Sequence, residues 1–367
     1  MPETSSTPRD ARELVDLLHR LRAKIGWPVQ VMEVCGTHTV TAQTEALHDL
    51  LPEGLKLVSG PGCPVCVTPA GYIDQAARLA TGEGARVVTY GDMIRVPGIE
   101  TGLDEARRRG GDVSVVYSVT DALELARANR DQKIVFLAIG FETTAPPTAW
   151  AVKTARDEGL DNFIVYSAHK RIMPAMTALL EDPETAIDGY LAPGHVSVII
   201  GSDAYREVAD KYHRPCIVTG FDGIQMLLGL VEVLEQLASG EARVENVYAG
   251  RVSAEGNRAA QAVLEEVFEP EPSRWRGMGT IPDSGLKLRE EYAQFDARRV
   301  FDLPPPEDTE PPGCQCTRVI KGLADPPECP MFATRCTPES PVGACMVSRE
   351  GACRAWRRGL PRRGLPR

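Results

Sequence analysis

From Pro28 to about Gly240 the chain alternates two kinds of hydrophobic pattern. Short, nearly continuous apolar runs read as strands: VQVMEV from Val29, LKLVS from Leu55, RVVTY from Arg86, VSVVYS from Val113, KIVFLAI from Lys133, NFIVYSA from Asn162, DGYLA from Asp188 and PCIVTG from Pro215. Between them, apolar residues recur at spacings of three and four. That period predicts helices over 39–50, 71–79, 121–129, 146–158, 172–180, 203–212 and 222–237. Strands and helices in alternation are the pattern of α/β units around mostly parallel sheets. Eight strands exceed one small unit, so two α/β lobes are expected. Their boundary is placed near Asp131, because KIVFLAIGFETTAP reads as a new central strand running into a loop. Beyond Gly240 the strand signal fades, and the proline-rich LPPPEDTEPPG from Leu303 leads into a third region.

Composition narrows the class. The 367 residues are 43% apolar and 25% charged, a balance typical of a soluble globular chain. The longest apolar run, around Ile134 to Phe141, falls far short of the roughly 20 residues of a spanning helix, so no membrane span is expected. MPETSSTPRDARE at the start offers no secretory signal, which points to a cytoplasmic setting. A net charge of −10 argues against a general nucleic-acid binder. The end from Arg354 onward nevertheless carries six arginines and no acid. Its glycines and prolines read as a solvated tail. No glycine-rich loop fits G-x-G-x-x-G or a Walker A motif.

Ten cysteines, unevenly placed, carry the candidate chemistry. In a reducing compartment, clustered cysteines serve more often as metal ligands or redox catalysts than as structural disulfides. MEVCGTHT puts Cys35 and His38 at a predicted strand end, where α/β sheets collect ligands. They suit a metal, a nucleophile with its base, or a structural pair. GPGCPVC places Cys63 and Cys66 ahead of a helix, as in thiol redox pairs; half a zinc site is the competitor. Cys314, Cys329, Cys336 and Cys353, spaced C-x14-C-x6-C-x16-C, fit an iron-sulfur cluster or zinc equally by count. Other quartets, such as Cys329, Cys336, Cys345 and Cys353, are also open. GFETTAP carries Glu142, Thr143 and Thr144 toward the Cys35 crevice or merely caps a helix; LAPGHVSVIIG sets His195 in a loop. His169 has no evident partner, and Cys216 reads as core.

Taken together, MEVCGTHT, GPGCPVCVTP, GFETTAP, APGHVSVIIG and the C-x14-C-x6-C-x16-C tail resemble the HypD family of hydrogenase maturation factors, from about Met32 to Cys353. The resemblance implies an α/β fold of two similar Rossmann-like lobes with mostly parallel sheets, 1–130 and 131–245, plus a C-terminal iron-sulfur region, 246–367. It implies a redox-active scaffold on which the Fe(CN)2CO group of a nickel-iron hydrogenase is assembled. Cys35 would ligate that transient iron together with a HypC-type chaperone, with His38 in support. Cyanide would arrive through a HypE-type donor. Cys63 and Cys66 would be the redox dithiol, and Cys314, Cys329, Cys336 and Cys353 would hold a 4Fe-4S cluster, leaving Cys316 and Cys345 spare. A monomer entering transient heterocomplexes is expected. On the residues alone, a stand-alone iron-sulfur oxidoreductase and a zinc-holding binding module remain alternatives.

Overall fold

A computed structural model describes residues 10–82 and 84–359. In chain order its strands are β1 (Val29–Glu33), β2 (Leu55–Ser59), β3 (Arg86–Thr89), β4 (Val113–Val115), β5 (Ile134–Gly140), β6 (Phe163–His169), β7 (Gly189–Pro193), β8 (Cys216–Thr219), β9 (Val244–Asn246), β10 (Phe268–Trp275) and β11 (Gly279–Leu288). One sheet runs β2-β1-β7-β8-β9 and a second β4-β3-β5-β6. Every pairing in both is parallel. The expected α/β class is therefore what the chain adopts, and all eight strands read from the apolar runs are present. The strands do not divide between sheets in chain order. β1 and β2 enter the first sheet, β3 to β6 build the whole of the second, and the chain then returns with β7 to β9. Asp131 falls inside the second sheet's segment, between β4 and β5.

Period two explains the second sheet. All of β5 is buried, as befits a strand covered on both faces. Val135, Leu137 and Ile139 pack into one core, while Ile134, Phe136 and Ala138 join another with Ala149 and Val152 of the helix Ala145–Asp157. In the first sheet, Leu14, Leu18 and Leu21 form the buried stripe of the helix Ala11–Arg22, which packs on the helix Gly223–Ser239.

β10 and β11 form an antiparallel hairpin with a register shift between Glu271 and Ser273. Pro270 and Pro272, with alternating charged positions, hid β10 from an apolar reading. The hairpin covers the outer edge of β6, where Ser167 donates to the Leu286 carbonyl at 2.7 Å and Lys170 bridges Gly285. After it, the chain is mostly loop, with short helices at Cys316–Ile320, Ala344–Val347 and Ala352–Gly359. The last packs on the helix Gly36–Thr44. Arg362, Arg363 and Arg367 of the arginine-rich end lie outside the described residues. Among those described, no helix is long and apolar enough to cross a membrane.

Candidate functional site

Strand order reverses between β1 and β7 in the first sheet and between β3 and β5 in the second. Such points leave a crevice at the carboxyl ends of the strands. Here both crevices open into one cleft of about 260 Å³. Cys35 follows β1, Pro64 and Val65 follow β2, Tyr90 and Met93 follow β3, Thr143 and Thr144 follow β5, and His195 follows β7; all line it. Cys35 is half-buried and, among the described residues, the one cysteine on this wall.

The Cys35 backbone is fixed from below. Glu33, at the end of β1, accepts its N–H at 3.0 Å and also takes the Thr39 hydroxyl. Burial pushes the Glu33 carboxyl up to about 8, against the pull of the Thr39 and Cys35 hydrogen bonds. Gly62 presses on the same turn. A Cβ there would overlap Cys35 N and the Val34 carbonyl carbon, and the Gly62 carbonyl accepts from Gly36 at 3.3 Å. Only glycine permits that approach. Burial also drives the Cys35 thiol up to about 12; the His38 and Thr37 N–H groups pull it down and Glu33 adds to the rise. A bound cation would reverse this, since a coordinating thiol is deprotonated.

His38 is turned away from the cleft. It is fully buried on the helix Gly36–Thr44, with Nε2 at 2.8 Å from the Gly220 carbonyl and 3.1 Å from Thr219 Oγ1. Its Nδ1 has no hydrogen-bond partner. Burial, with the nearby His195, lowers its pKa to about 4, so the ring is neutral. His195 takes the place facing Cys35's cleft. It sits on the short helix Gly194–Ile200, not in a loop, stacked on Phe221 with centroids 3.8 Å apart. Thr144 stands at the N-cap of the helix Ala145–Asp157 but donates back to the Phe141 carbonyl. Glu142 points inward, accepting from Ile172 N at 2.9 Å, and burial raises it to about 7. Glu350 reaches the cleft from the far end of the chain: it takes the Thr37 hydroxyl at 3.3 Å and packs on Gly36. Neither periodicity nor a local motif announces that contact.

Cys63 and Cys66 lie at disulfide distance, with Cα atoms 5.3 Å apart, around the start of the helix Pro64–Val67. Both are buried behind the wall that Pro64 and Val65 present to the cleft. Against this helix packs Ala344–Val347, which carries Cys345. Cys216 lies in the core as read.

In the C-terminal region Cys314, Cys329, Cys336 and Cys353 converge on one small apolar cavity, together with Cys316. Cys316 lines the same cavity beside them, close to Cys314 at Gly343. Neighbouring thiols and burial raise the pKa of Cys314 and Cys353, and burial raises that of Cys336. Val342 N–H donates to Cys336 Sγ at 3.3 Å. Gly343 completes the cradle, since a Cβ would come within 2.7 Å of Cys316 Sγ and 2.9 Å of Cys314 Sγ. Among the described residues, no three His, Cys, Asp or Glu side chains are set around a single metal ion. The donor chemistry fits a larger thiolate-bound group: five sulfurs, methionine and phenylalanine walls, and backbone N–H groups aimed at sulfur.

A family model described as HypD, hydrogenase formation hypA family, matches residues 9–359. The hydrogenase maturation factor HypD of Cupriavidus necator is 42% identical over 347 residues, covering 92% of this chain and 91% of its own. HypD of Escherichia coli strain K12 is 40% identical over 354 residues, covering 95% of each chain. HypD of Azotobacter vinelandii is 43% identical over 334 residues, covering 89% and 88%. The chain belongs to the HypD family of hydrogenase maturation factors.

Proposed function

We propose that this chain, whose role lies in hydrogenase maturation, is the platform on which the Fe(CN)2CO group of a nickel-iron hydrogenase is assembled. The observation carrying this reading is Cys35 in a cleft bounded by the switch points of both sheets. Iron is the cargo. Cys35 supplies one soft thiolate, suited to iron with strong-field cyanide and carbonyl ligands, and a HypC-type chaperone docking over the cleft supplies another. A HypE-type partner delivers the cyanide groups. Glu33 and Gly62 hold the Cys35 turn, Thr143, Thr144 and His195 offer polar contacts beside it, and the cleft shields the unfinished group from bulk water. His38 acts as a buried positioning group through its bonds to Thr219 and Gly220.

The Cys63–Cys66 pair is the redox couple, closing on loss of two electrons and opening on their return. Cys314, Cys329, Cys336 and Cys353 would hold a 4Fe-4S cluster, which supplies one-electron chemistry when bound.

The test is infrared spectroscopy on anaerobically purified protein with its HypC-type partner. Bands of iron-bound cyanide and carbonyl are expected, and Cys35→Ala should remove them while iron and labile sulfide of the cluster remain. Bands that persist in Cys35→Ala would overturn the ligand assignment. Cys63→Ser and Cys66→Ser should each block maturation with the cluster intact; full maturation by both would exclude a required redox pair.

A further inference from the structure

A second and larger cavity, of about 600 Å³, shares no lining residue with the Cys35 cleft or the cysteine cavity. Its size is that of small-molecule sites. It lies at the carboxyl end of β6, between that strand, the β10–β11 hairpin and the proline-rich segment that follows Leu303. Lys170 comes directly after β6 and is 2% exposed. Its ammonium donates to Ser273 Oγ and, at 2.8 Å, to the Arg274 carbonyl. Two of the three N–H groups of the ammonium thus have oxygen acceptors, and the ammonium also stands 5.7 Å from the centroid of the Trp275 ring, which carries no formal charge.

The nearby acids do not neutralise it. Glu271 is held by Arg298 at 2.8 and 3.0 Å. Asp308 accepts backbone N–H groups from Ala70 and Gly277 at 3.1 and 3.0 Å. No carboxylate forms an ion pair with Lys170, and the Arg274 guanidinium has neither ion pair nor hydrogen bond among the described residues. A buried cation without a counter-charge is costly. Burial lowers the Lys170 pKa to about 7, with Glu271 opposing the fall. Tyr72 and Tyr166, stacked with centroids 4.1 Å apart, give the cavity a flat apolar wall. Their hydroxyls are already spent on the Tyr166 carbonyl and on Gln75.

We propose that this cavity binds a small organic oxyanion, a carboxylate or phosphate ester, through Lys170 and Arg274, with its carbon body against the Tyr72–Tyr166 pair. The site is separate from iron assembly and stands whether or not the iron-ligand assignment does. The ligand's charge supplies the counter-charge that the Lys170 ammonium lacks and engages the exposed Arg274 guanidinium at the cavity rim.

The full chain is titrated with succinate and with glycerol 3-phosphate, followed by calorimetry and thermal unfolding. Saturable binding of at least one probe at or below about 10 mM is expected, and the preferred probe tells carboxylate from phosphate. Arg274→Gln, which removes no hydrogen bond or ion pair among the described residues, should weaken binding about tenfold without lowering the melting temperature of the free protein; Lys170→Met should weaken it at least as much. Binding by neither probe, or binding unchanged in Arg274→Gln, overturns the site.

Discussion

Cys35 and Cys353 are both thiols outside any disulfide, yet the means that hold them differ. Cys35 sits where a parallel strand ends, its N–H tied to Glu33 and its backbone pressed by Gly62. Its place is set by main-chain geometry before any ligand arrives. Cys353 and its neighbours sit on loops and short helices, where with Cys316 they line one small cavity. A site of the first kind is preorganised to receive and release cargo. A site of the second kind gains stability from whatever the sulfurs share, because a ligand present only in the folded state adds its binding energy to folding.

The contrast can be broken by experiment. Cys336→Ser in anaerobically prepared protein should eliminate labile sulfide and cost on the order of 5 kcal/mol or more, read by denaturant melts; unchanged stability would make the rear region as self-supporting as the front. Gly62→Ala should cost about 3 kcal/mol, because a methyl group meets main chain rather than a flexible side chain. A loss within experimental error would mean that the Cys35 turn is loosely held.

Acid should separate the two regions in a third way. All six histidines precede Arg214. His169 is buried beside Thr148, and burial lowers its pKa from 6.5 to about 3. The unfolded chain takes up that proton below pH 6.5 while the folded chain refuses it. Its contribution is therefore complete above pH 6.5 and is lost as pH falls toward 3. His169→Gln should flatten the fall of folding stability between pH 6.5 and 4, by about 3 kcal/mol across that window in denaturant melts; an unchanged slope would assign the acid sensitivity elsewhere. The smallest effect is expected for Cys35→Ala, within about 1 kcal/mol of the parent, since the backbone contacts to Glu33 and Gly62 stay.

Strands β1 to β8 were legible because both faces of parallel strands are covered, which writes unbroken apolar runs such as IVFLAI. The hairpin was not: the charged Glu269, Glu271 and Arg274 and two prolines break up any apolar run in β10. The helix Gly194–Ile200 begins at Gly-His, without a capping side chain to mark it. Motif spacing pointed to Cys35, to the Cys63–Cys66 pair and to the rear cysteines as groups. It could not show that His195 rather than His38 faces the cleft, because helix direction and the packing of Phe221 decide that. Nor could it show Cys316 at the centre of the rear group or Glu350 at the cleft, since both depend on how distant loops fold back.

The interleaved sheets set an order of events during synthesis. β1 pairs with β7, whose first residue, Gly189, emerges roughly 130 residues after β2 is complete, a delay of about 6 to 26 s at ordinary elongation rates. In that interval β3 to β6 can close into their own sheet, while β1 keeps one edge unpaired. Cys35 thus leaves the ribosome early and waits on an unfinished template: its cleft gains the His195 wall only when the chain comes back to complete the first sheet, and Glu350 arrives last of all.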